Sequence, residues 1–170
     1  MIRTFDGKIP KIADSAYINE FSYIVGDVEI GEDSSVWPGA VLRADFGRIN
    51  VGKNVHIEDN VVIHGTGGVE IGDNVIIGHS AVFHGKKIGN NVLIGMNATV
   101  LHDVEINDRC VIAGGSVVLE GMKIPDESFI AGVPAKIKGK ISDDLEIWID
   151  SEMMRNSYGE LSKKYKKLGL

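Results

Sequence analysis

Residues 69–100 carry the stretch VEIGDNVIIGHSAVFHGKKIGNNVLIGMNATV, which decides the fold. Apolar residues recur in it at intervals of about six. They are Ile71, Ile77 and Phe83, followed by Ile88, Ile94 and Val100. An amphipathic helix would repeat about every 3.6 residues and an uninterrupted strand every two. The longer interval therefore predicts short strands separated by regular turns.

The same register extends in both directions from this stretch. It comprises twenty positions, all of them apolar, with breaks of only a few residues: Ile12, Ile18, Ile24, Ile30, Val36, Leu42, Val51, Ile57, Ile63, Ile71, Ile77, Phe83, Ile88, Ile94, Val100, Ile106, Ile112, Val118, Ile124 and Ile130. A second, mostly small or apolar set lies two positions ahead: Ala16, Ser22, Val28, Ser34, Ala40, Val55, Val61, Val75 and Ala81. Glycine often follows the first set, where we expect it to allow a tight turn or a positive φ.

These two sets predict the architecture. Three short strands close a triangular coil of about 18 residues, and successive coils stack about 4.8 Å apart. Each coil buries its inward side chains only against its neighbours, as in other solenoid proteins. The sequence therefore predicts an all-β fold, a parallel β-helix of about seven coils over residues 12–136, within a single domain of residues 1–170.

The period changes near the C-terminus. A spacing of three to four residues, broken at one glutamate, links Leu145, Trp148, Glu152, Tyr158, Leu161, Tyr165 and Leu168. This spacing predicts an amphipathic α-helix over residues 142–168. Ser142 is a suitable N-cap for it.

Composition narrows the class of protein. The formal net charge of −6 argues against binding to nucleic acid or to an anionic membrane, since both require a basic surface. The sequence contains no apolar run near the roughly 20 residues of a membrane span, and its start lacks the pattern of a signal peptide. The single cysteine, Cys110, falls among the small inward residues and predicts a buried thiol in a reducing compartment. We expect a cytoplasmic protein.

Three of the five histidines occupy related positions in the repeat. His64 directly follows the inward residue Ile63, and His84 directly follows Phe83. Their backbones are therefore expected about 4.8 Å apart on successive coils. Two imidazoles that bind one zinc ion at about 2.1 Å need nitrogens roughly 3.4 Å apart, so this pair is well placed for a metal.

His79 lies on another face of the coil that carries His84. It cannot easily reach a metal held by His64 and His84 of its own chain, but it can reach the equivalent site of a neighbour in a threefold ring. The same columns contain a charged pair one coil below. Arg43 lies beneath His64 and Asp59 lies beneath His79, so we expect these two charges to meet at the same interface.

Around these residues the chain resembles the γ-class carbonic anhydrases, which are left-handed β-helices. The matching stretches are Arg43-Ala44-Asp45, Glu58-Asp59 with His64 following, His79 with His84, and Tyr158-x-x-Leu161-x-x-x-Tyr165. The resemblance covers nearly the whole chain. It implies left-handed coils and a homotrimer with one zinc or iron(II) ion at each subunit interface. The ligands would be His64 and His84 of one subunit and His79 of the next, with Arg43, Asp45 and Asp59 as interface residues.

The chain also departs from the usual pattern of that family. His56 and Glu58 stand where the family usually has asparagine and glutamine, and Phe46 stands where the best-studied type has a glutamate. Gly65–Gly68 passes directly to the next coil, where that type carries an acidic loop that shuttles protons. The resemblance is therefore to a subgroup with shorter loops. His56 either hydrogen-bonds near the site or is exposed, and His102 is expected at the surface.

The resemblance implies reversible hydration of CO₂ to bicarbonate. Three neutral histidines leave a zinc ion one open position for water, whose pKa falls to about 7 in carbonic anhydrase. Glu58 would take the place of the family's glutamine, either orienting the hydroxide or passing its proton. Asn156 and Tyr158, on the C-terminal helix, would cover the cleft.

Two other functions remain compatible with this fold. A coenzyme A-dependent acyltransferase is its commonest occupation, and the segment 131–136 occurs in both groups. Such an enzyme needs a long loop lining an acyl-CoA groove, whereas no loop here exceeds a few residues. The third possibility is a metal-stabilised trimer that acts as a scaffold or binding subunit without catalysis.

Overall fold

The computed structural model describes residues 1–141 and 146–170, with side chains described up to residue 141 and from residue 153 onward. It is a left-handed parallel β-helix of about seven coils followed by one helix, which confirms the predicted fold class. The strands are β1 (Ile2–Arg3), β2 (Lys11–Ile12), β3 (Tyr17–Ile18), β4 (Tyr23–Ile30), β5 (Ser35–Val36), β6 (Val41–Val51), β7 (His56–Ile57), β8 (Val62–Ile63), β9 (Val69–Ile71), β10 (Ile76–Ile77), β11 (Val82–Phe83), β12 (Lys87–Ile88), β13 (Leu93–Ile94), β14 (Thr99–Val100), β15 (Glu105–Ile106), β16 (Val111–Ile112), β17 (Val117–Val118), β18 (Lys123–Ile124), β19 (Ser128–Gly132) and β20 (Ala135–Lys140). The helix, α1, spans Glu146–Leu168.

The parallel strands form the three faces of a triangular prism. Face 1 contains β1, the first halves of β4 and β6, and then β8, β11, β14 and β17. Face 2 contains β2, the second halves of β4 and β6, and then β9, β12, β15 and β18. Face 3 contains β3, β5, β7, β10, β13, β16 and β19, and β20 pairs antiparallel with β19. Each coil therefore runs from face 3 to face 1 and then to face 2.

The inward positions of the repeat fill the prism. Eighteen of the twenty predicted inward residues are buried, and the other two, Ile12 and Ile18 near the N-terminal end, are partly buried. The second, smaller set is buried throughout. Cys110 belongs to this core as predicted, and burial raises the pKa of its thiol. The six-residue pattern thus identifies the core almost residue by residue.

Glycine follows the inward residues because successive coils approach closely. A Cβ atom on Gly52 would lie 2.4 Å from Asp73 Oδ1 and 2.5 Å from the carbonyl oxygen of Gly72 in the next coil. Of the two roles expected for these glycines, a tight turn or a positive φ, they do not take the second, because asparagine and other residues in the turns adopt positive φ instead. Asn54 and Asn74, for example, have φ of 52° and 58°, and asparagine tolerates this region better than most side chains.

A ladder of side-chain oxygens also links the coils at this corner. The backbone N–H groups of Lys53, Asp73, Asn90 and Asp108 each donate to a side-chain oxygen one coil further on, at 2.8–3.0 Å. The acceptors are Oδ1 of Asp73, Asn90, Asp108 and Asp126. Because each donor is a turn N–H with no strand partner, the ladder satisfies groups that would otherwise be left to solvent.

Helix α1 packs along face 3 over β3, β5 and β7. The predicted stripe is only partly correct, because Leu161 and Leu168 are 39% and 61% exposed. The described side chains that are buried on α1 are Arg155 and Ser162. The core of the prism is already filled by the repeat, so the helix covers a polar and aromatic outer surface rather than an apolar one. The predicted N-cap, Ser142, lies outside the described residues.

Aromatic rings attach α1 to face 3. The ring centre of Trp37 lies 5.3 Å from that of Tyr158 and 5.2 Å from that of Tyr165. Tyr17 contacts Trp37 and Tyr165 at 5.3 and 5.9 Å. Edge-on ring pairs of this kind are favourable beyond the area they bury. No helical segment in the described part of the chain combines the length and apolar character of a membrane span.

His56 lies on face 3 beneath α1 and is fully buried. Its Nδ1 atom is 2.8 Å from Ser35 Oγ, which also accepts a hydrogen bond from Trp37 Nε1. Its ring stacks on Tyr158 at 5.7 Å. The alternative of an exposed histidine is therefore wrong. Burial lowers the pKa of His56 to about 4.

We predict that Gly52→Ala destabilises the protein by about 1–3 kcal/mol, because the added methyl group must displace backbone of the next coil. Gly139→Ala is the matched control, since no atom lies within 4 Å of a Cβ built there. Urea unfolding at one fixed protein concentration measures both variants. Equal midpoints would show that the coils can separate to accommodate a side chain.

We predict that His56 makes stability fall as the pH drops from about 6.5 to 4. The unfolded chain takes up a proton at the ordinary histidine pKa of about 6.5, whereas the buried ring resists protonation until about pH 4. Stability from this group is complete above pH 6.5, and about 3 kcal/mol is lost by pH 4. His56→Asn removes the titration, so its unfolding free energy should depend less on pH. Parallel pH profiles for the two proteins would contradict the assignment.

Candidate metal centre

His64 and His84 lie at one edge of face 1. Strands β8 and β11 pair with Ile63 opposite Phe83, so the two histidines that follow these residues lie one coil apart at the same position. The ring centres are 5.0 Å apart and the rings are inclined by 45°. A zinc ion about 2.1 Å from a nitrogen of each ring would lie about 3.2 Å from the centre of each ring. With a tetrahedral angle at the ion, the two ring centres would be about 5 Å apart. The observed separation matches this value, so the pair fits one ion without rearrangement of the backbone.

His64 is oriented by a carboxylate. Its Nε2 atom lies 2.9 Å from Asp45 Oδ1, and Arg43 pairs with the other oxygen of Asp45. Burial pushes the pKa of Asp45 upward, but the hydrogen bonds from Arg43 and His64 outweigh this effect, so the pKa lies below its usual range. A carboxylate behind a histidine is the usual way of holding a metal ligand in one orientation.

His84 has a different environment. Its Nδ1 atom is buried and has no hydrogen-bond partner among the described residues. Burial lowers the pKa of His84, and the neighbouring His102 and His64 lower it further. The ring is therefore neutral near pH 7, which is the form that binds metal ions.

His79 lies at the opposite edge of face 1, in the turn between β10 on face 3 and β11 on face 1. Its Nδ1 atom is 3.1 Å from Asp59 Oδ2, and its Nε2 atom is 3.1 Å from Glu58 Oε2. The Tyr158 hydroxyl lies 3.3 Å from the same Nε2 atom. His79 is 38% exposed in its side chain, so its ring is accessible from outside the chain.

Glu58 and Tyr158 form a polar pair beside His79. Glu58 is 2% exposed and accepts a 2.9 Å hydrogen bond from the backbone N–H of His79. Burial raises the pKa of the Glu58 carboxyl, although His79 and the Tyr158 hydroxyl counteract this effect. Burial and the negative charge of Glu58 also raise the pKa of Tyr158, which therefore keeps its proton and acts as a donor.

The structure separates the three predicted ligands into two groups. His64 and His84 lie together at one edge of face 1, and His79 lies at the opposite edge. Within residues 1–141 and 146–170, no group of three His, Cys, Asp or Glu side chains is close enough to hold a metal ion. The donor chemistry suits zinc or iron(II), but the described residues of one chain bring together only two of the three predicted histidine ligands.

The other predicted site residues are distributed unevenly. Arg43 and Asp59 each have a partner within the chain, namely Asp45 and His79. Asn156 is exposed and lines an open groove with Asp33, Arg155 and Lys163, apart from the contacts around His79. Only Glu58 and Tyr158 of the three predicted catalytic helpers therefore lie against a predicted ligand.

Sequence reasoning missed one residue of this region. His102 was expected at the surface, yet it is partly buried and its ring centre lies 3.9 Å from that of His84. It follows Leu101, which takes the position of His84 in the next coil. The sequence places His102 next to Leu101, one coil from His84, and this could have indicated a contact between the two histidines. The turn geometry that directs the His102 ring back onto His84 could not be predicted from the sequence.

The chain is similar to known hexapeptide-repeat proteins and to carbonic anhydrases. The family described as "Bacterial transferase hexapeptide (six repeats)" matches residues 9–44 and 85–120. The carbonic anhydrase of Geobacillus kaustophilus is 40% identical over 171 residues, covering 99% of this chain and 92% of that protein. The mitochondrial γ carbonic anhydrase 1 of Arabidopsis thaliana is 41% identical over 109 residues, which cover 59% of this chain and 39% of that protein.

A solved structure shares both fold and sequence with the chain. It is a hexapeptide transferase family protein from Anaplasma phagocytophilum, with a TM-score of 0.90 and 32% identity over 96% of this chain and 97% of that one. The chain thus spans nearly all of the Geobacillus relative but less than half of the Arabidopsis one. From the full-length match, the chain belongs to the γ-class carbonic anhydrase family of hexapeptide-repeat proteins.

Proposed function

We propose that the protein catalyses the reversible hydration of CO₂ to bicarbonate at a metal centre shared between neighbouring subunits of a homotrimer. The observation that carries the proposal is the division of the ligands. His64 and His84 are spaced for one ion at one edge of face 1, while His79 stands at the other edge. A neighbour that presents its His79 edge to the His64 edge supplies the third ligand.

The outer surface of face 1 supports such a neighbour. Between the two edges, the outward residues of successive coils are Tyr23, Val41, Val62, Val82, Thr99 and Val117. Val82 is 36% exposed and Tyr23 is 39% exposed in the single chain. A mostly apolar column that is partly exposed in the single chain is typical of a surface that another protein covers.

The side chains around the site can serve the reaction. A zinc or iron(II) ion bound there would supply a Lewis acid that makes hydroxide available near neutral pH. Asp45 fixes the His64 ring, and Asp59 fixes the His79 ring. Glu58 Oε2 is the acceptor nearest to the His79 Nε2 atom and is where a released proton can be held. The Tyr158 hydroxyl donates a hydrogen bond to Glu58 and lies 3.3 Å from His79 Nε2.

The transferase name of the solved relative favours a second candidate, an acyltransferase that uses acyl-CoA. Titration with acetyl-CoA separates the two functions, because an acyltransferase must bind the nucleotide and a CO₂ hydratase has no need of it. Saturable binding with transfer to an acceptor would support the second candidate. The connection at residues 65–68, beside the His84 cavity, is short and glycine-rich, which favours the first.

We predict that mixed trimers of two inactive variants regain activity. His64→Ala trimers and His79→Ala trimers each lack one ligand at every site. After the two are unfolded, mixed and refolded, any ring that contains both has one junction with intact His64, His84 and neighbouring His79. Each mixed trimer should bind one metal ion and show about a third of the wild-type CO₂ hydration rate, measured by stopped flow.

The controls are the two variants refolded separately, which should bind no metal tightly. Mass spectrometry establishes that mixed rings have formed. If confirmed mixed rings stay without metal and activity, each site lies within one chain and the shared centre is wrong.

We also propose that Arg43 of one subunit meets Asp59 of the next. Arg43→Ala should then weaken the trimer, by several kcal/mol if the pair is buried at the interface and by under about 1 kcal/mol if it is exposed. Arg48→Ala is the matched control, because Arg48 pairs with Glu29 on the outer side of face 2. Sedimentation at low concentration measures both. If the Arg43→Ala and Arg48→Ala trimers dissociate equally, Arg43 and Asp59 do not form a stabilising pair at the interface.

A further inference from the structure

The three predicted ligands are held in different ways. His64 has Asp45 on one ring nitrogen at 2.9 Å, and His79 has Asp59 on one ring nitrogen at 3.1 Å. His84 has no such partner, since its buried Nδ1 atom makes no hydrogen bond among the described residues. Metal-binding histidines usually have their second nitrogen fixed by a hydrogen bond, and losing that contact weakens metal binding about 10- to 100-fold. Another contact must therefore orient His84.

The only aromatic rings found against His84 in the described part of the chain are those of His64 and His102. His102 is the closer, with ring centres 3.9 Å apart and planes inclined by 39°. This is a close contact between tilted rings, in which one ring restricts rotation of the other about χ2. His64 is less suited to restrict the His84 ring, because it is itself a predicted ligand and its ring centre lies further away, at 5.0 Å.

We propose that His102 is a positioning residue, whose ring holds His84 in the orientation that binds the metal. This inference rests on the proposed metal centre. It assigns to a neighbouring imidazole ring the task that carboxylates perform for His64 and His79. The residue acts through His84 and does not touch the ion.

The distances separate this role from that of a fourth ligand. Two rings that share one ion in tetrahedral geometry have centres about 5 Å apart, as His64 and His84 do. The 3.9 Å separation of His84 and His102 is too short for that arrangement and fits direct contact between two tilted rings. His102 belongs to the coil after that of His84, whereas His64 belongs to the coil before it.

The backbone of His102 is fixed well enough to serve as a support. Leu101 N donates to Val118 O at 3.0 Å, and the carbonyl oxygen of His102 accepts a 2.9 Å hydrogen bond from Gly121 N. Asp103, which follows, adopts a φ of 55° and completes the turn. These hydrogen bonds tie the turn to the next coil, so the backbone from which the His102 ring projects is held in place by the coil stacking.

The experiment compares His102→Ala with His102→Phe. Alanine removes the ring, whereas phenylalanine keeps a flat ring but has no nitrogen to bind metal or carry a proton. Leu119→Ala is the matched control, because Leu119 is 50% exposed on the same side and lies two coils from His84. Affinity for Zn²⁺ is measured by competition with a chelator, after sedimentation has shown equal assembly. The absorption spectrum of the Co²⁺-loaded proteins reports ligand geometry independently of activity.

We expect His102→Ala to bind Zn²⁺ about tenfold more weakly and to show an altered Co²⁺ spectrum. His102→Phe should restore both to within about twofold, and Leu119→Ala should match the wild type. The proposal is wrong if His102→Ala binds as tightly as the wild type. It is also wrong if His102→Phe is as weak as His102→Ala, since the nitrogen rather than the ring would then be needed. Should His102→Ala fail to assemble, His102→Gln, which also lacks a ring, replaces it with the same criteria.

Failure of this inference can be told apart from failure of the proposed function. A wild-type protein that binds no Zn²⁺ or Co²⁺ would overturn the shared metal centre itself. A wild-type protein that binds metal and hydrates CO₂, with all His102 variants unchanged, would overturn only the positioning role.

Discussion

The parallel hydrogen bonds between successive coils are the constraint on which the rest of the structure depends. They tie His64 N to Phe83 O at 3.1 Å and His84 N to Val100 O at 2.9 Å. This ladder sets the spacing of coils near 4.8 Å, and equivalent side chains therefore stand in columns. The 5.0 Å separation of the His64 and His84 rings is a direct consequence. Glycine at the corners follows from the same constraint, because a Cβ atom at Gly52 would overlap the next coil.

A column can bring together residues that share a position, but it cannot bring opposite edges of a face into contact. His79 is separated from His84 by the width of face 1, and no side-chain rotation crosses that distance within a rigid prism. The described part of the chain therefore brings together only two of the three predicted ligands. A closed ring of identical subunits is the simplest solution, since each neighbour contributes the edge that the other lacks. On this proposal, assembly and metal binding are coupled, because the third ligand arrives only with the subunit that carries it.

The sequence predicted those parts of the structure that the repeat controls. Inward residues, the pairing of His64 with His84 and the burial of Cys110 follow from counting positions, because the period alone decides which residues face inward and which share a column. It did not predict features that depend on side-chain rotamers or on turn geometry. The contact of His102 with His84 requires the turn that begins at Leu101 to redirect a ring backwards. The face of α1 was also misassigned at Leu161 and Leu168, since the helix packs on an aromatic outer surface and the apolar periodicity does not mark that contact.

Helix α1 lies between the outer surface of face 3 and His79. Tyr158 contacts Trp37 on face 3 and also reaches His79, while His56 lies beneath its ring. A buried carboxylate such as Glu58 is costly unless donors surround it, and one of its donors is the Tyr158 hydroxyl. The aromatic contacts that hold α1 in place therefore also keep Glu58 hydrogen-bonded. Detachment of the helix would remove this hydrogen-bond donor from Glu58 and would expose more of the His79 side chain, which is 38% exposed in the structure. The helix thus forms part of the surroundings of His79, at the edge of face 1 opposite to that of His64 and His84.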